Sequence, residues 1–130
     1  MASTPSALAG LTILIVDDHA DTVDMFREYL AACGATAVGA RSAKSALTIA
    51  GALVIDVALV DLRMPDEDGR WFLRELRASG TCSANAAVFA LSGERHDRLD
   101  PISNFAGYFL KPVDLDRLVT TLATLPRRST

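Results

Sequence analysis

Five polar residues of this chain, each directly after an apolar segment, could together carry out magnesium-dependent phosphoryl transfer. They are Asp17, Asp18, Asp61, Ser92 and Lys111. Carboxylates bind hard dications, and a carboxylate can also attack phosphorus to form an acyl phosphate. We predict that Asp61 is the nucleophile, that Ser92 hydrogen-bonds a phosphoryl oxygen and that Lys111 neutralises charge. Because three unpaired carboxylates would raise one another's pKa, the cluster makes physical sense mainly with Mg²⁺ or Lys111 beside it.

The apolar segments themselves predict the strands of a parallel sheet. They are continuous, which is typical of strands buried on both faces, and they fall at about 11–16, 35–40, 56–61, 86–92 and 107–111. Parallel strands deliver their carboxyl ends to one edge, where ligands of open α/β sheets bind. Each polar residue alone is more often part of a turn, cap or surface, but four strand ends of this kind favour one shared site.

Helical periodicity fills the spaces between these strands. Amphipathic segments occur around 23–33, from Ser42 to Gly51, from about Gly69 to Ala78, and from Asp114 to Pro126. Before the last strand, Asp100 as N-cap and Pro101 as first helical residue predict only a short helix over about 101–106, after an irregular stretch over 93–99. The pattern is that of an α/β fold with right-handed crossovers and helices on both faces.

Composition bounds the function. The 130 residues fit one domain, which we place at 11–125 between a flexible leader at 1–10 and a tail at 126–130. No segment reaches the roughly 18 apolar residues of a membrane span, and the leader lacks the features of a secretory signal, so we expect a cytoplasmic location. The net charge is −3 and the only basic cluster is Arg127–Arg128, which argues against nucleic-acid binding.

The cysteines and histidines receive no role at this point. Cys33 and Cys82 lack metal-ligand spacing and are expected to be reduced thiols. His19 and His96 lack a second histidine or cysteine at zinc spacing, so loop or surface positions are favoured over zinc ligation.

Taken as a set, the segments around the strand ends resemble the receiver domain of response regulators in two-component signalling. The similarity runs from Leu11 to Leu125 and rests on four stretches, at 16–19, 59–69, 90–93 and 107–112. It implies a doubly wound, five-stranded parallel sheet of flavodoxin-like order 2-1-3-4-5. It also implies that Asp61 accepts a phosphoryl group from a phosphohistidine on a sensor histidine kinase or histidine phosphotransfer protein, and that a downstream protein reads the result.

The resemblance assigns further roles. It implies that Asp18, Asp61 and the backbone carbonyl of Arg63 hold Mg²⁺, with Asp17 acting largely through water. Ser92 and Tyr108 match the switch pair, in which a hydroxyl closes on the phosphoryl group and an aromatic ring turns in behind it.

Other features around the site are specific to this chain or left open. The resemblance implies a cis bond between Lys111 and Pro112. Arg63 and Glu94 match the two variable positions beside the site, where they either pair and slow hydrolysis or remain two independent solvated side chains. Gly93, in place of the usual alanine, keeps access open. The segment from Ser92 to Lys111 is shorter than is usual in the family, which puts the usual fourth helix in doubt.

We favour a signalling phosphoacceptor that is not an enzyme, and we keep other classes open. The leading alternative is a phosphorylation-independent interaction module, which the altered fourth-helix region supports weakly. A phosphatase of the haloacid dehalogenase kind would need Asp-x-Asp after its first strand, and this chain has His19 in the third position. Such a phosphatase also usually carries a cap domain, for which this chain has no room. Flavin binding would need a phosphate-binding loop that the first strand does not lead into. If no output domain follows the tail, the output passes through a partner, and the oligomeric state stays open.

Overall fold

The computed structural model describes residues 6–93 and 104–127 of the chain. Within these residues five strands and four helices follow one another. The strands are β1 Thr12–Val16, β2 Thr36–Ala40, β3 Val57–Asp61, β4 Ala87–Ser92 and β5 Gly107–Leu110. The helices are α1 Ala20–Ala32, α2 Ala43–Ala52, α3 Gly69–Arg77 and α4 Leu115–Ala123.

The strands form one parallel sheet in the order β2-β1-β3-β4-β5. Every strand lies within one residue of its predicted bounds, because each is a short, mainly apolar run, and the central strands β1, β3 and β4 are buried almost throughout. The order reverses between β1 and β3, and this point of reversal is where ligands bind in doubly wound sheets. The predicted fold class and strand order are therefore confirmed.

Two apolar layers fix the sheet between pairs of helices. On one face α1 and α4 pack against β1, β3, β4 and β5, and the largest contributors are Phe26, Leu30, Leu59, Phe89, Phe109, Leu118 and Leu122. On the other face α2 and α3 pack against the same central strands through Leu14, Val16, Ala46, Val60, Phe72 and Leu76. The strand ends are consequently held by a sheet that helices cover on both faces.

Three of the helices begin at a side chain that caps the first turn. Ser42, Asp68 and Asp114 each accept a hydrogen bond from the backbone N–H three residues further on, at 3.1, 3.0 and 3.2 Å. The predicted end of α2 at Gly51 is wrong by one residue, since the helix continues through Ala52 and the Leu53 N–H still donates to the Ile49 carbonyl.

The connection before β5 differs from the prediction as far as the structure describes it. The expected short helix covers residues 101–106, and residues 104–106 belong to no helix. Residues 94–103 lie outside the described part of the chain.

The packed chain begins before the predicted boundary at Leu11. Leu8 is fully buried in the α1/α4 layer, and its N–H donates to the Cys33 carbonyl at 2.8 Å. The guanidinium of Arg127 donates to the carbonyls of Ala7 and Ala9, each at 2.8 Å, and so joins the two ends of the described chain. The sequence pattern missed this because Leu8 is an isolated leucine in a stretch of small residues.

Among the described residues no helix has both the length and the apolar character needed to cross a bilayer.

Candidate functional site

The carboxyl ends of β1, β3 and β5 bring the predicted acids and the lysine together. Asp17 and Asp18 follow β1, Asp61 ends β3, and Lys111 follows β5. The Asp17 N–H donates to the Ala40 carbonyl at 3.1 Å, which ties the first acid to the end of β2. The site thus forms at the edge of the sheet that the sequence predicts.

Lys111 lies between the two most buried carboxylates. Its Nζ is 3.3 Å from Asp17 Oδ2 and 3.3 Å from Asp61 Oδ2. Asp17 is fully buried and Asp61 is 6% exposed, so neither carboxylate is well hydrated. A buried charge is tolerated when it is paired, and one ammonium serves both acids here.

Asp61 is held through both of its carboxylate oxygens. Oδ2 faces Lys111, and Oδ1 accepts a hydrogen bond from the Arg63 backbone N–H at 3.1 Å. Burial raises the pKa of Asp61 above its usual value, and the nearby Asp17 charge raises it further. The Arg63 N–H and the Lys111 ammonium lower the pKa without cancelling the effect of burial. Because the pKa stays raised, a further cation near Asp61 would stabilise its ionised form.

His19 joins the acid cluster, which the sequence analysis did not predict. Its backbone N–H donates to Asp17 Oδ1 at 2.9 Å, and its ring Nδ1 lies 3.2 Å from the same oxygen. The ring Nδ1 is also 3.4 Å from Asp18 Oδ1. The sequence analysis assigns His19 to a loop or surface position because no second histidine or cysteine lies at zinc spacing. The feature that could have indicated its place in the cluster is its position directly after an acid pair at a strand end.

Gly69 is a second residue whose importance only the structure shows. Its N–H donates to the Leu62 carbonyl at 3.4 Å, and a Cβ at this position would lie 2.9 Å from the Asp61 carbonyl oxygen. The absence of a side chain therefore lets the first turn of α3 lie directly against the backbone of the candidate phosphoacceptor.

The residues present fit a hard dication. Ligand atoms of Asp17, Asp18, His19 and Asp61 all lie within 4.8 Å of one another. Asp18 Oδ1 is buried and accepts no hydrogen bond from the described residues, although the His19 ring Nδ1 lies 3.4 Å away, so this carboxylate oxygen can still take a metal ion. Carboxylate oxygens are the ligands that Mg²⁺ takes in proteins, and bound Mg²⁺ would supply positive charge at this edge of the sheet.

The predicted switch residues lie on β4, the strand next to Asp61, and on β5, the strand beyond it. Ser92 ends β4, is 2% exposed, and its carbonyl accepts a hydrogen bond from the Lys111 N–H at 2.7 Å. Tyr108 lies on the edge strand β5, half-buried, with its ring 5.5 Å from the ring of Phe105 in an edge-to-face arrangement. The two residues lie on adjacent strands, where Ala90 pairs with Tyr108 and Ser92 with Leu110.

The remaining predicted features are local. The Lys111–Pro112 bond is cis, as the resemblance implies. Arg63 is exposed beside Asp61. Glu94 lies outside the described residues, so its pairing with Arg63 stays a prediction.

Comparison with known proteins agrees with this geometry. The family model described as the response regulator receiver domain matches residues 13–123. An uncharacterized 14.6 kDa protein of Leptolyngbya boryana is 36% identical over 110 residues, which cover 82% of this chain and 83% of that protein. The sensor histidine kinase RcsC of Salmonella typhi is 31% identical over 120 residues, covering 91% of this chain but only 12% of the kinase.

A solved structure shows the same fold. The response regulator receiver protein of Pseudomonas putida superimposes with a TM-score of 0.80 at 30% identity, over 90% of this chain and 98% of that one. The sheet order, the acid cluster with its lysine and the match to the family model lead to one conclusion: the chain belongs to the response-regulator receiver family of two-component signalling.

Proposed function

We propose that this receiver domain is a signalling phosphoacceptor in which Asp61 takes a phosphoryl group from a phosphohistidine. The observation that carries the proposal is the setting of Asp61, whose two oxygens are held by the Lys111 ammonium and the Arg63 N–H in a buried pocket with a second acid. A carboxylate fixed in this way is oriented for in-line attack, because its rotation is restricted before the donor arrives.

The transfer breaks one bond and forms one bond. A carboxylate oxygen of Asp61 attacks phosphorus, the phosphorus–nitrogen bond of the phosphohistidine breaks, and the imidazole leaves with the electron pair. Lys111 already contacts Asp17 and Asp61, so it can keep Asp17 as a partner while its ammonium turns toward a phosphoryl oxygen. Ser92, at the neighbouring strand end, donates a hydrogen bond to another phosphoryl oxygen.

In this proposal Mg²⁺ is held by Asp18, Asp61 and the Arg63 backbone carbonyl, with Asp17 contributing largely through water. The bound ion offsets the charge of the incoming phosphoryl group and of the acids around it. Two observations support this requirement, since both carboxyl groups gain from an added cation: Asp18 Oδ1 accepts no hydrogen bond from the described residues, and the pKa of Asp61 is raised.

The output that we propose is a shift between two arrangements of Ser92 and Tyr108. When the Ser92 hydroxyl moves toward the phosphoryl group, the Tyr108 ring turns in behind it and the surface around β5 changes. A downstream protein binds the new surface. The position of Tyr108 on the edge strand supports this, because a change there reaches the surface directly.

The similarity to a segment of a sensor histidine kinase supports a kinase or phosphotransfer protein as the donor. In this proposal the transfer takes place in the cytoplasm. A phosphorylation-independent interaction module remains the alternative function. It predicts the same fold, but no chemical change at Asp61.

Intact mass spectrometry after incubation with a small-molecule phosphodonor separates these functions. We expect a gain of one phosphoryl group that requires Mg²⁺ and is lost in Asp61→Asn. Asp56→Asn is the matched control, because Asp56 lies just before β3 and its Oδ2 accepts the Thr12 N–H at 2.8 Å, at the other end of the strand. A folded native chain that gains no mass would favour the interaction module.

A further inference from the structure

We propose that His19 supplies an imidazole nitrogen to the metal ion of this site and so shifts the site's preference from Mg²⁺ toward later first-row dications such as Co²⁺. The inference rests on the proposed metal site and concerns which ion that site selects. It is drawn from the placement of one side chain that the proposed phosphoryl transfer does not use.

The His19 ring points toward the acid cluster. His19 is the N-cap residue of α1, a position where a side chain ordinarily accepts a hydrogen bond from the first turn. No such hydrogen bond is present at this N-cap. The ring instead directs Nδ1 toward Asp17 Oδ1 and Asp18 Oδ1, which are also candidate metal ligands.

The distance between the His19 ring and Asp18 suits two ligands of one ion. An octahedral ion with bonds of about 2.1 Å places neighbouring ligand atoms about 3 Å apart and opposite ones about 4.2 Å apart. His19 Nδ1 is 3.4 Å from Asp18 Oδ1, close to the separation of neighbouring ligands. Small side-chain shifts would complete the set, because the His19 side chain is 73% exposed and has space to adjust.

The other side of the pocket is already occupied by the Lys111 ammonium. Lys111 faces the Oδ2 atoms of Asp17 and Asp61, so the ion belongs on the side where Asp18 Oδ1 and His19 Nδ1 lie. The Asp17 carboxylate is also held by the His19 backbone N–H, which any substitution at position 19 other than proline retains. Changing the ring therefore removes a ligand while keeping the contact that orients Asp17.

The chemical consequence is selectivity. An all-oxygen site suits Mg²⁺, whereas an imidazole adds affinity for later first-row ions in the order of the Irving–Williams series. His19→Asn replaces the nitrogen with an amide oxygen of similar reach. We expect this variant to bind Mg²⁺ nearly as well as the native chain and to lose Co²⁺ affinity by about tenfold.

Two measurements test the proposal on the untagged full chain. Pulsed EPR of bound Mn²⁺ reports a directly coordinated imidazole through coupling to ¹⁴N, and titration gives the ratio of Co²⁺ to Mg²⁺ affinity. We expect ¹⁴N coupling in the native protein and in His96→Asn, which removes the other histidine of the chain, and its loss in His19→Asn.

Three results would overturn the inference. They are Mn²⁺ binding without ¹⁴N coupling, coupling that survives in His19→Asn, and an affinity ratio that His19→Asn leaves unchanged. In each of them Mg²⁺ binding and phosphorylation of Asp61 can persist, so the proposed function would stand. A native chain that binds none of the three ions would overturn the inference together with the proposed metal site.

Discussion

Gly69→Ala is expected to destabilise the protein, although the same change stabilises most helices. Gly69 is the first residue of α3, and a Cβ there would lie 2.9 Å from the Asp61 carbonyl oxygen and 3.3 Å from Leu62 Cα. Both atoms belong to the backbone at the end of β3, which is buried and cannot turn aside as a flexible side chain would. The added methyl group must therefore push α3 and the Asp61 segment apart.

The two opposing energies can be compared. Replacing glycine by alanine in a helix gains about 0.5–1 kcal/mol. Forcing a methyl group into a packed site costs about 1–3 kcal/mol. The steric cost is larger, so we expect a net loss of about 1 kcal/mol, which lowers the melting temperature by roughly 3–5 °C for a domain of this size.

Gly51→Ala is the matched control. Gly51 lies within α2, and a Cβ there would have no other atom within 4 Å. This variant should gain the helix term alone, about 0.5–1 kcal/mol. Urea unfolding of the native chain and both variants measures the two free-energy changes, which should have opposite signs.

Equal signs for the two variants would refute this reasoning. If Gly69→Ala were as stabilising as Gly51→Ala, α3 would not be pressed against the Asp61 backbone. The account of how α3 positions the phosphoacceptor would then fail.

Three further predictions concern stability. Leu8→Ala should lower the free energy of unfolding by about 2–5 kcal/mol, because Leu8 is fully buried. The control Leu53→Ala, at a side chain that is 47% exposed, should change it by about 0.5 kcal/mol or less. Equal losses would place Leu8 outside the core. Ser83→Ala should cost about 1–3 kcal/mol in the same urea assay, because the buried hydroxyl accepts a backbone N–H at 2.8 Å and shares its one proton between two carbonyl oxygens. A neutral effect would contradict these contacts. Asp61→Asn should raise the melting temperature in metal-free buffer at pH 7. Burial raises the pKa of Asp61, so ionisation of this group destabilises the folded state. The advantage should disappear below pH of about 4, where the unfolded chain is also protonated, and an advantage that persists there would have another cause.

Much of the architecture could be predicted because it depends on local pattern. The run of residues 57–60 is apolar throughout and ends at Asp61, and the structure places β3 at Val57–Asp61. The same reasoning predicts that Asp17 and Lys111 lie at one edge of the sheet, where the structure places them 3.3 Å apart. This prediction succeeds because all strands of a parallel sheet place their carboxyl ends at the same edge.

The features that sequence reasoning missed depend on contacts between distant segments. Nothing in the residues around Leu8 indicates that it packs beneath α1, and the meeting of Arg127 with the backbone at 7–9 requires the fold to be known. The position of the His19 ring likewise depends on its contacts with the carboxylates of Asp17 and Asp18. Glycine patterns were also ambiguous, since Gly51 lies within a helix that it was expected to end.

Locating the phosphoryl group within the chain tests the central claim most directly. An acyl phosphate is reduced by borohydride to an alcohol, so treatment after phosphorylation in Mg²⁺ should convert the modified aspartate into homoserine, which peptide mass spectrometry can assign to a position. The account predicts homoserine at position 61 alone, and none when Mg²⁺ is omitted. Homoserine at position 17 or 18, or a phosphorylated chain in which residue 61 is unchanged, would contradict it.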